Sequence, residues 1–436
     1  MRKSILYFLL LSAGFWSCEN KDESVFEKTT DERLNEALGA YEKQLSEAAY
    51  GWNAVMYPGN ESSYGFYMKF DDKNRVSMYS DFTETSAKTP KESSYRLKAM
   101  QTPTLVFDTY GYMHLLADPD SEVNGGNDGD GLLSDFEFTI YPDSVTTDRI
   151  VFVGRKNQSK LVLTRATQAQ QTAFNGGGQA AGLAFNNISK YQVYFKRITL
   201  NGITYEIAVN QADRTIKLTW LDGTSVRTFT TTYYYDSEGL VFVKPFVNGS
   251  NTINGFNKIT WDESRTQLSV SVNGTTSVIG TAIRPLAIDR AAPRAWWNAP
   301  IASGGEWRSR EGFHINGVSN ALGVDKLISE GNPYAVYLFI PGGPGYYDLL
   351  APGFSAYGSL NLVYANVIES TFSSDGRVIF REVRTSGTNP PTEGPFVETK
   401  KVLVEGSGYY LIQTSEKTYD MVGAKDAKAW VSWFRI

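Results

Sequence analysis

The chain is short of the residues on which several kinds of site depend. It has one cysteine, Cys18, and two histidines, His114 and His314. A single thiol cannot form an internal disulfide, and two histidines exclude a His-rich metal site. After Cys18, no apolar run approaches the ~20 residues that a transmembrane helix needs. The 42 Lys and Arg residues form no basic cluster and are outnumbered by 47 Asp and Glu residues, so we expect no nucleic-acid partner.

Abundant aromatic residues and glycines indicate β structure. Aromatic residues make up 14% of the chain, with 26 Tyr and 24 Phe, and there are 39 Gly. Such a mixture favours twisted sheets joined by tight turns. A chain of 436 residues is also too long for one hydrophobic core. We therefore predict a mainly β fold (α+β by element count), in which a short N-terminal helix is followed by two or three antiparallel β-sheet domains.

The start of the chain has the layout of a secretory signal peptide. A basic start precedes the apolar run 5–11, which is too short to span a membrane as a helix. The run leads to Cys18, which stands where bacterial lipoproteins carry their lipidated cysteine. We predict that residues 1–17 are a signal peptide and that residues 18–28 are an acylated tether.

A short charged segment follows the cysteine closely. Lys21, Asp22 and Glu23 resemble the Lys-plus-acidic export tag of surface-exported lipoproteins of Bacteroidota. We therefore expect the protein to be lipid-anchored in an outer membrane and to face outward. A bacterial lipoprotein cysteine normally carries two or three acyl chains, and more than one chain makes such attachment stable.

One helix is predicted at the start of the mature chain. Apolar residues recur there at spacings of three and four, on one stripe: Leu34, Leu38, Tyr41, Leu45, Ala48 and Trp52. Thr29 and Glu32, three positions apart, have the pattern of a capping box. We expect the stripe to dock on the first sheet, with binding of a partner as the alternative.

The remaining chain reads as strands and turns, in four predicted segments. Several turns carry Asn-Gly, Asp-Gly or Glu-Gly pairs, as hairpins prefer. Three prolines between residues 285 and 300 favour a main boundary near residue 295. The predicted segments are a helix plus first β domain at 29–165, a Gly/Gln/Ala-rich linker at 166–189, a second β domain at 190–290, and a C-terminal β-rich domain at 300–436.

One strand followed by a Gly-rich turn is similar to a catalytic loop. Residues 341–345, Pro-Gly-Gly-Pro-Gly, resemble the oxyanion loop of prolyl-iminopeptidase-type hydrolases. However, the chain has no Gly-x-Ser-x-Gly elbow, and both histidines precede this loop instead of following the nucleophile. We therefore interpret the segment as a rigid turn.

An acidic, Gly-rich loop between residues 118 and 135 is the candidate metal site. Its oxygen-bearing side chains are the ligands that Ca²⁺ prefers. The loop begins like an EF-hand, but Gly131 stands where the twelfth-position Glu is needed. An ordinary solvated loop is the preferred interpretation, and Ca²⁺ is the one cofactor considered. The candidate ligands are Asp118, Asp120, Glu122, Asn124, Asp128 and Asp130.

Three tryptophans near the predicted boundary form the candidate ligand platform. Trp296, Trp297 and Trp307 could stack on sugar rings. The preferred alternative is that they pack a hinge between domains, because buried aromatic residues commonly anchor such contacts.

Several segments together carry a family resemblance. They are Cys18 with its signal peptide, 49–52, 65–70, 107–110 and 134–138. These segments resemble the Bacteroidota lipoproteins grouped as domain of unknown function 4302, over roughly residues 18–290. The resemblance implies an accessory surface lipoprotein, of a kind often encoded near outer-membrane receptors of the starch-utilisation type. It brings no catalytic residues with it.

Three classes of function stay open. We expect non-catalytic binding of a glycan or peptide, or an accessory role beside an uptake receptor. The first alternative is a glycoside hydrolase-like enzyme, whose close carboxylate pair the sequence alone cannot single out. The second is a structural or interaction protein without a ligand, which predicts a large exposed apolar patch. Whether the protein is an enzyme is open, with the binding role preferred.

Overall fold

The structure, a computed structural model, describes residues 29–436. Its helices are α1 (Thr30–Ser46), α2 (Glu84–Lys88), α3 (Tyr112–Leu115), α4 (Ser121–Asn124), α5 (Gln168–Asn175), α6 (Gly178–Gly182), α7 (Ala292–Ser303) and α8 (Pro395–Leu403). Two 3₁₀ segments lie at Leu183–Lys190 and Val324–Lys326. All other regular elements are strands, in three antiparallel sheets, so the predicted mainly β fold is confirmed.

The first sheet closes on itself. Its eight strands pair in chain order, and the last pairs with the first, with Trp52 opposite Arg165. Inward side chains such as Phe66 and Phe152 fill the interior. The strands are β1 (Trp52–Tyr57), β2 (Tyr64–Phe70), β3 (Arg75–Ser80), β4 (Lys91–Ala99), β5 (Pro103–Phe107), β6 (Glu137–Val145), β7 (Arg149–Gly154) and β8 (Lys160–Arg165).

The second sheet repeats this topology with its own core. Eight strands again pair in order, and closure places Phe195 opposite Ala282. The strands are β9 (Phe195–Leu200), β10 (Ile203–Asn210), β11 (Thr215–Asp222), β12 (Ser225–Tyr235), β13 (Gly239–Asn248), β14 (Asn251–Asp262), β15 (Gln267–Val272) and β16 (Thr275–Ala282).

The third sheet has eleven strands. They are β17 (Trp307–Ser309), β18 (His314–Ile315), β19 (Ile328–Ser329), β20 (Asn332–Ile340), β21 (Asp348–Ala356), β22 (Ser359–Leu362), β23 (Tyr364–Phe372), β24 (Val378–Gly387), β25 (Tyr409–Ser415), β26 (Thr418–Gly423) and β27 (Ala429–Phe434). The strands β18, β19 and β22 are short additions that pair with β27, β20 and β21.

Without these three additions, the third sheet has the topology of the other two. The remaining eight strands pair in chain order, and β17 pairs with β27. This sheet is closed by fewer residue pairs than the other two, because single pairs join β17 to β27 and β24 to β25. The described chain is therefore a tandem of three closed antiparallel meanders.

Helix α1 begins and docks largely as the sequence indicates. The Thr29 side chain accepts the Glu32 amide at 3.2 Å, and the Glu32 carboxylate accepts the Thr29 amide at 2.8 Å. Only the C-terminal end of the predicted stripe is deeply buried, at Leu45 and Ala48. Trp52 lies in β1 and not on the helix, and its indole N–H donates to the Leu45 carbonyl at 3.0 Å.

The connections between the sheets are more ordered than the sequence indicates. The segment predicted as a Gly/Gln/Ala-rich linker, 166–189, forms α5, α6 and most of a 3₁₀ segment. Its Gln179 and Phe185 side chains are fully buried. The predicted boundary near residue 295 falls within α7, whose Trp296 belongs to the core of the third sheet.

The first junction, between the first and second sheets, is built on a buried ion pair. Arg214 donates to the Asp81 carboxylate at 2.7 Å and to the Asp81 carbonyl at 2.8 Å. The Tyr235 amide donates to the same carboxylate at 2.8 Å. Burial raises the pKa of Asp81, and the Arg214 guanidinium opposes that rise.

Backbone approaches closely at the same junction. A Cβ on Gly65 would lie 2.0 Å from the carbonyl oxygen of Tyr235, so only glycine fits there. The buried Gln179 amide donates to both carbonyls, to Gly65 at 3.0 Å and to Tyr235 at 2.9 Å. The first two sheets therefore meet through a packed contact held by charge and backbone hydrogen bonds.

The second junction, between the second and third sheets, is built on hydrogen bonds and stacked rings. The Tyr194 hydroxyl donates to Asp420 at 2.6 Å, and its amide donates to the Ala427 carbonyl at 2.9 Å. Trp430 contacts the Tyr194 ring edge-on at 5.7 Å and stacks on His314 at 5.0 Å. These side chains are half-buried.

Candidate functional site

A stack of three aromatic side chains lies on the surface of the first sheet. The His114 ring lies between Tyr110, at a centroid distance of 5.5 Å, and Phe136, at 4.9 Å. Both interplanar angles are near parallel, at 26° and 25°. Tyr110 is 46% exposed and Phe136 is 40% exposed, which makes the outer members of the stack accessible.

Local structure explains how three separated residues meet. Tyr110 and His114 are four residues apart across the start of α3, a spacing that places side chains on one face. Phe136 directly precedes β6 and is brought alongside because the Phe107 amide donates to its carbonyl at 3.0 Å.

His114 is held in one orientation by backbone groups. The Gly111 amide donates to Nδ1 at 3.1 Å, and Nε2 lies 3.2 Å from the Phe107 carbonyl. A ring that accepts at Nδ1 and donates at Nε2 is neutral. Burial lowers the pKa of His114, which agrees with that neutral state. The middle of the stack is therefore rigid and uncharged.

The acidic loop predicted as a metal site borders this stack. The Asp118 carboxylate accepts the Tyr110 hydroxyl, and the Asp120 amide donates to Asp118 at 3.1 Å. Burial and the Asp118 carboxylate raise the pKa of Tyr110 to about 12. The loop and the aromatic residues therefore form one surface, which we call the aromatic–acidic face.

The predicted metal ligands serve the loop itself. Asp120 caps α4 by accepting the Glu122 amide at 2.9 Å, and Asp128 accepts the Ser121 amide at 3.2 Å. The Asn124 side chain donates to the Asp118 carbonyl at 2.8 Å.

No metal-binding group is visible in this loop. Glu122 and Asp130 are exposed. Within residues 29–436, no three His, Cys, Asp or Glu side chains are grouped so that they could hold a metal ion. Calcium binding here stays a prediction that the geometry does not favour.

The three predicted stacking tryptophans lie inside the third sheet. Trp296 and Trp307 are 0% exposed and Trp297 is 7% exposed, so a sugar ring cannot reach their faces. Trp296 stacks on Phe339 at 4.4 Å and accepts the Trp307 indole N–H on its carbonyl at 2.8 Å. The platform prediction is corrected accordingly: the large apolar rings are buried as core, because α7 folds over the sheet interior.

The Gly-rich segment 341–345 belongs to the turn between β20 and β21. The Gly342 amide donates to the Asp348 carboxylate at 2.9 Å, and that carboxylate also accepts the Trp297 indole N–H at 3.0 Å. The amide is therefore already bonded and does not face an open site.

Carboxyl groups with a raised pKa have neighbouring donors in the described chain. Burial raises the pKa of five such groups: Asp81, Glu206, Asp236, Asp348 and Asp420. Each accepts hydrogen bonds from the fold around it, as Glu206 does from Arg197 at 3.0 Å. These groups hold junctions and turns, and the geometry selects none of them as a catalytic pair.

The sequence-predicted anchor cannot be located in the structure. Cys18, Lys21, Asp22 and Glu23 lie outside the described residues. Within the described range, no helix has the length and apolar character needed to cross a membrane.

Comparison with known proteins identifies a family. The family described as "Domain of unknown function (DUF4302)" matches residues 22–263, more than half of the chain. The chain belongs to the DUF4302 family. The DUF4302 region contains the first sheet, the aromatic–acidic face and the first junction, and it ends between β14 and β15. The family membership predicted from the sequence is thereby confirmed over residues 22–263.

Other comparisons add little to the DUF4302 assignment. No curated protein matches the chain. A crystal structure of a putative DNA polymerase III beta subunit from Eubacterium rectale is 9% identical, with 91% of this chain and 96% of that chain covered and a TM-score of 0.16. The DNA polymerase III beta subunit of Thermotoga maritima is also 9% identical, with 92% and 97% covered and a TM-score of 0.12. Such low TM-scores support no inference about fold or function.

Proposed function

We propose that this DUF4302 protein is an outer-membrane lipoprotein, anchored through Cys18 and facing outward. It captures a glycan without chemical conversion, as an accessory subunit of a nutrient-uptake system. The observation that supports this proposal is the half-exposed stack of Tyr110, His114 and Phe136 beside an acidic loop.

The chemistry of the aromatic–acidic face suits a sugar ligand. The exposed face of an aromatic ring packs against the C–H face of a sugar, and nearby carboxylates and amides accept or donate hydrogen bonds to its hydroxyls. Phe136 and Tyr110 supply the rings, and Asp118 and Asn124 lie in the adjoining loop. The fixed His114 ring keeps the two outer rings in place before a ligand arrives, which lowers the entropic cost of binding.

Glycan capture can be tested on the soluble chain that starts after Cys18. A glycan array would identify a ligand, and calorimetry would give its affinity for the wild type and for Phe136→Ala and Tyr110→Ala. We expect each substitution to weaken binding by about tenfold, because each removes one stacking face. Tyr357→Ala is the matched control, since Tyr357 is a fully exposed tyrosine on the third sheet. Unchanged affinity in both variants, or preference for a peptide, would contradict the proposal.

Anchoring and partnership need the intact protein. Mass spectrometry of the native chain should find acyl groups on Cys18, and Cys18→Ala should release the protein from the membrane. Purification from the native outer membrane should then recover a receptor in equal amount. Recovery of the lipoprotein alone would contradict the accessory role and leave glycan capture to stand on the array result.

A further inference from the structure

A cleft of about 560 Å³ lies where the chain enters the third sheet. One wall is formed by residues 290–295, at the start of α7, and the other by residues 372–377, between β23 and β24. The walls are in close contact, because a Cβ on Gly376 would lie 3.1 Å from the Arg290 Cα. The cleft belongs to the third sheet and lies outside the DUF4302 region.

The lining of this cleft is basic in a chain whose net charge is −5. Arg290, Arg294 and Arg377 all line it, and Ser373 and Ser374 add hydroxyl groups. Guanidinium groups present a planar set of N–H donors that matches carboxylate, sulfate and phosphate oxygens. The lining therefore favours an anionic ligand.

Carboxylates beside the cleft are already committed to other groups. Asp375 pairs with Arg377 at 2.8 Å. Asp289 accepts the Ala291 amide at 2.9 Å, at the start of α7. Within the described chain, the other two arginines have no carboxylate partner within 4.0 Å. Two guanidinium groups are thus left available to a ligand.

Arg294 is held in place by a relay of rings. Its guanidinium lies 4.3 Å from the centroid of the Phe372 ring. Phe372 contacts Trp297 edge-on at 5.8 Å, and the Trp297 indole donates to Asp348 at 3.0 Å. Because stacking engages only the face of the guanidinium, its N–H edge stays free. The donor fork is therefore oriented before any ligand binds.

We propose that this cleft binds the sulfate or phosphate group of an organic ligand, namely a sulfated or phosphorylated sugar. Arg294 and Arg290 hold the anionic group, and the adjoining Ser374 hydroxyl faces the rest of the ligand. The cleft volume suits a ligand of one or two sugar units. This site is separate from the aromatic–acidic face, so it stands or falls independently of the proposed function.

Calorimetry on the soluble chain tests the site directly. The probes are inorganic sulfate, inorganic phosphate, glucose 6-sulfate and glucose 6-phosphate, each against chloride at matched ionic strength. We expect saturable binding of at least one ester, tighter than that of its inorganic anion. Binding of none of these probes would overturn the proposal. So would binding only to vesicles that contain phosphatidylglycerol, which would assign the cleft to a lipid headgroup.

Variants locate the binding in the cleft. Arg294→Ala and Arg290→Ala should each weaken binding by about tenfold, because each removes a charged hydrogen-bond donor. Arg294→Lys should weaken it too, since lysine keeps the charge but lacks the fork. Arg384→Ala is the matched control, because it removes one exposed arginine from β24 outside the cleft lining. Equal affinities in wild type and Arg294→Ala, or equal losses in Arg294→Ala and Arg384→Ala, would overturn the proposal.

Discussion

The two junctions between the sheets are held by different kinds of interaction. At the first junction a carboxylate and a guanidinium are buried together, with Asp81 at 0% exposure, and backbone groups from both sheets complete the contact. At the second junction Tyr194, Trp430 and His314 form a half-buried set of rings around one carboxylate. Loss of either charged partner should therefore destabilise the first junction strongly, whereas loss of one contact at the second junction should cost less stability.

This difference agrees with the extent of the family match. The DUF4302 region, residues 22–263, contains both sides of the first junction but only the Tyr194 side of the second. A buried ion pair is costly to assemble unless both partners are present, so it ties two sheets into one unit. We infer that the first two sheets fold as a pair and that the third sheet is attached to that pair by hydrogen bonds and apolar packing.

The largest expected effect is at the first junction. Asp81→Ala leaves the Arg214 charge buried without its partner and should lower the free energy of unfolding by about 3–5 kcal/mol. Denaturant unfolding measures this change in the free energy of unfolding. The double variant Asp81→Ala with Arg214→Met should recover part of the loss, since no charge stays buried.

A control for that experiment is an exposed ion pair. Glu369→Ala breaks the pair with Arg381 on the third sheet, where the Arg381 side chain is 69% exposed and that of Glu369 is 42% exposed. The cost should be at most about 1 kcal/mol. Similar losses of stability in Asp81→Ala and Glu369→Ala would show that the buried ion pair contributes no more than an exposed one.

A smaller effect is expected at the second junction. Tyr194→Phe removes the hydrogen bond to Asp420 but keeps the ring contact with Trp430, so it should cost about 1–3 kcal/mol. Calorimetry should resolve the third sheet as a separate transition at lower temperature. A single transition that shifts as a whole would argue that all three sheets form one cooperative unit.

The second junction should also respond to pH. Burial lowers the pKa of His314 below 6.5, although Glu311 and Asp420 oppose the shift. The folded protein therefore binds this proton more weakly than the unfolded chain, and stability present above pH 6.5 is lost as the pH falls below it. Thermal unfolding between about pH 7.5 and about pH 5.5 measures the loss.

A substitution can isolate this histidine. His314→Phe keeps a ring against Trp430 and should flatten the pH dependence. Part of the slope should persist, because burial lowers the pKa of His114 as well. An unchanged slope in His314→Phe would show that the second junction does not sense pH.

The smallest expected effect concerns the acidic loop, which lies at neither junction. Its Asp118, Asp120 and Asp128 carboxylates already accept hydrogen bonds from the loop. Millimolar Ca²⁺ should therefore leave the melting temperature unchanged when thermal unfolding is followed by calorimetry. A clear rise with Ca²⁺ but not with Mg²⁺ would restore the metal site.

Local signals in the sequence predicted local structure well. The Thr29–Glu32 capping box and the hairpin turns depend on residues a few positions apart, and the family resemblance depends on short segments. The junctions could not be predicted, because 133 positions separate Asp81 from Arg214 and 226 separate Tyr194 from Asp420.

Sequence also could not separate buried from exposed aromatic residues. The sequence left both a hinge contact and a surface platform open for Trp296, which lies in the core of the third sheet. The exposed stack depends on Phe136, just before β6, lying beside His114 of α3. Within the segment predicted as β-rich, 300–436, Pro395 starts helix α8, whose apolar residues Phe396 and Leu403 are buried.

Closure of the sheets by their first and last strands has a mechanical consequence. In the first sheet the chain enters at Trp52 and leaves at Arg165, which are register partners, and Phe195 and Ala282 have the same relation in the second. A pulling force on the two ends of a sheet therefore acts at one end of the closing strand pair. Its hydrogen bonds break one after another instead of sharing the load, so under tension the chain should lengthen sheet by sheet.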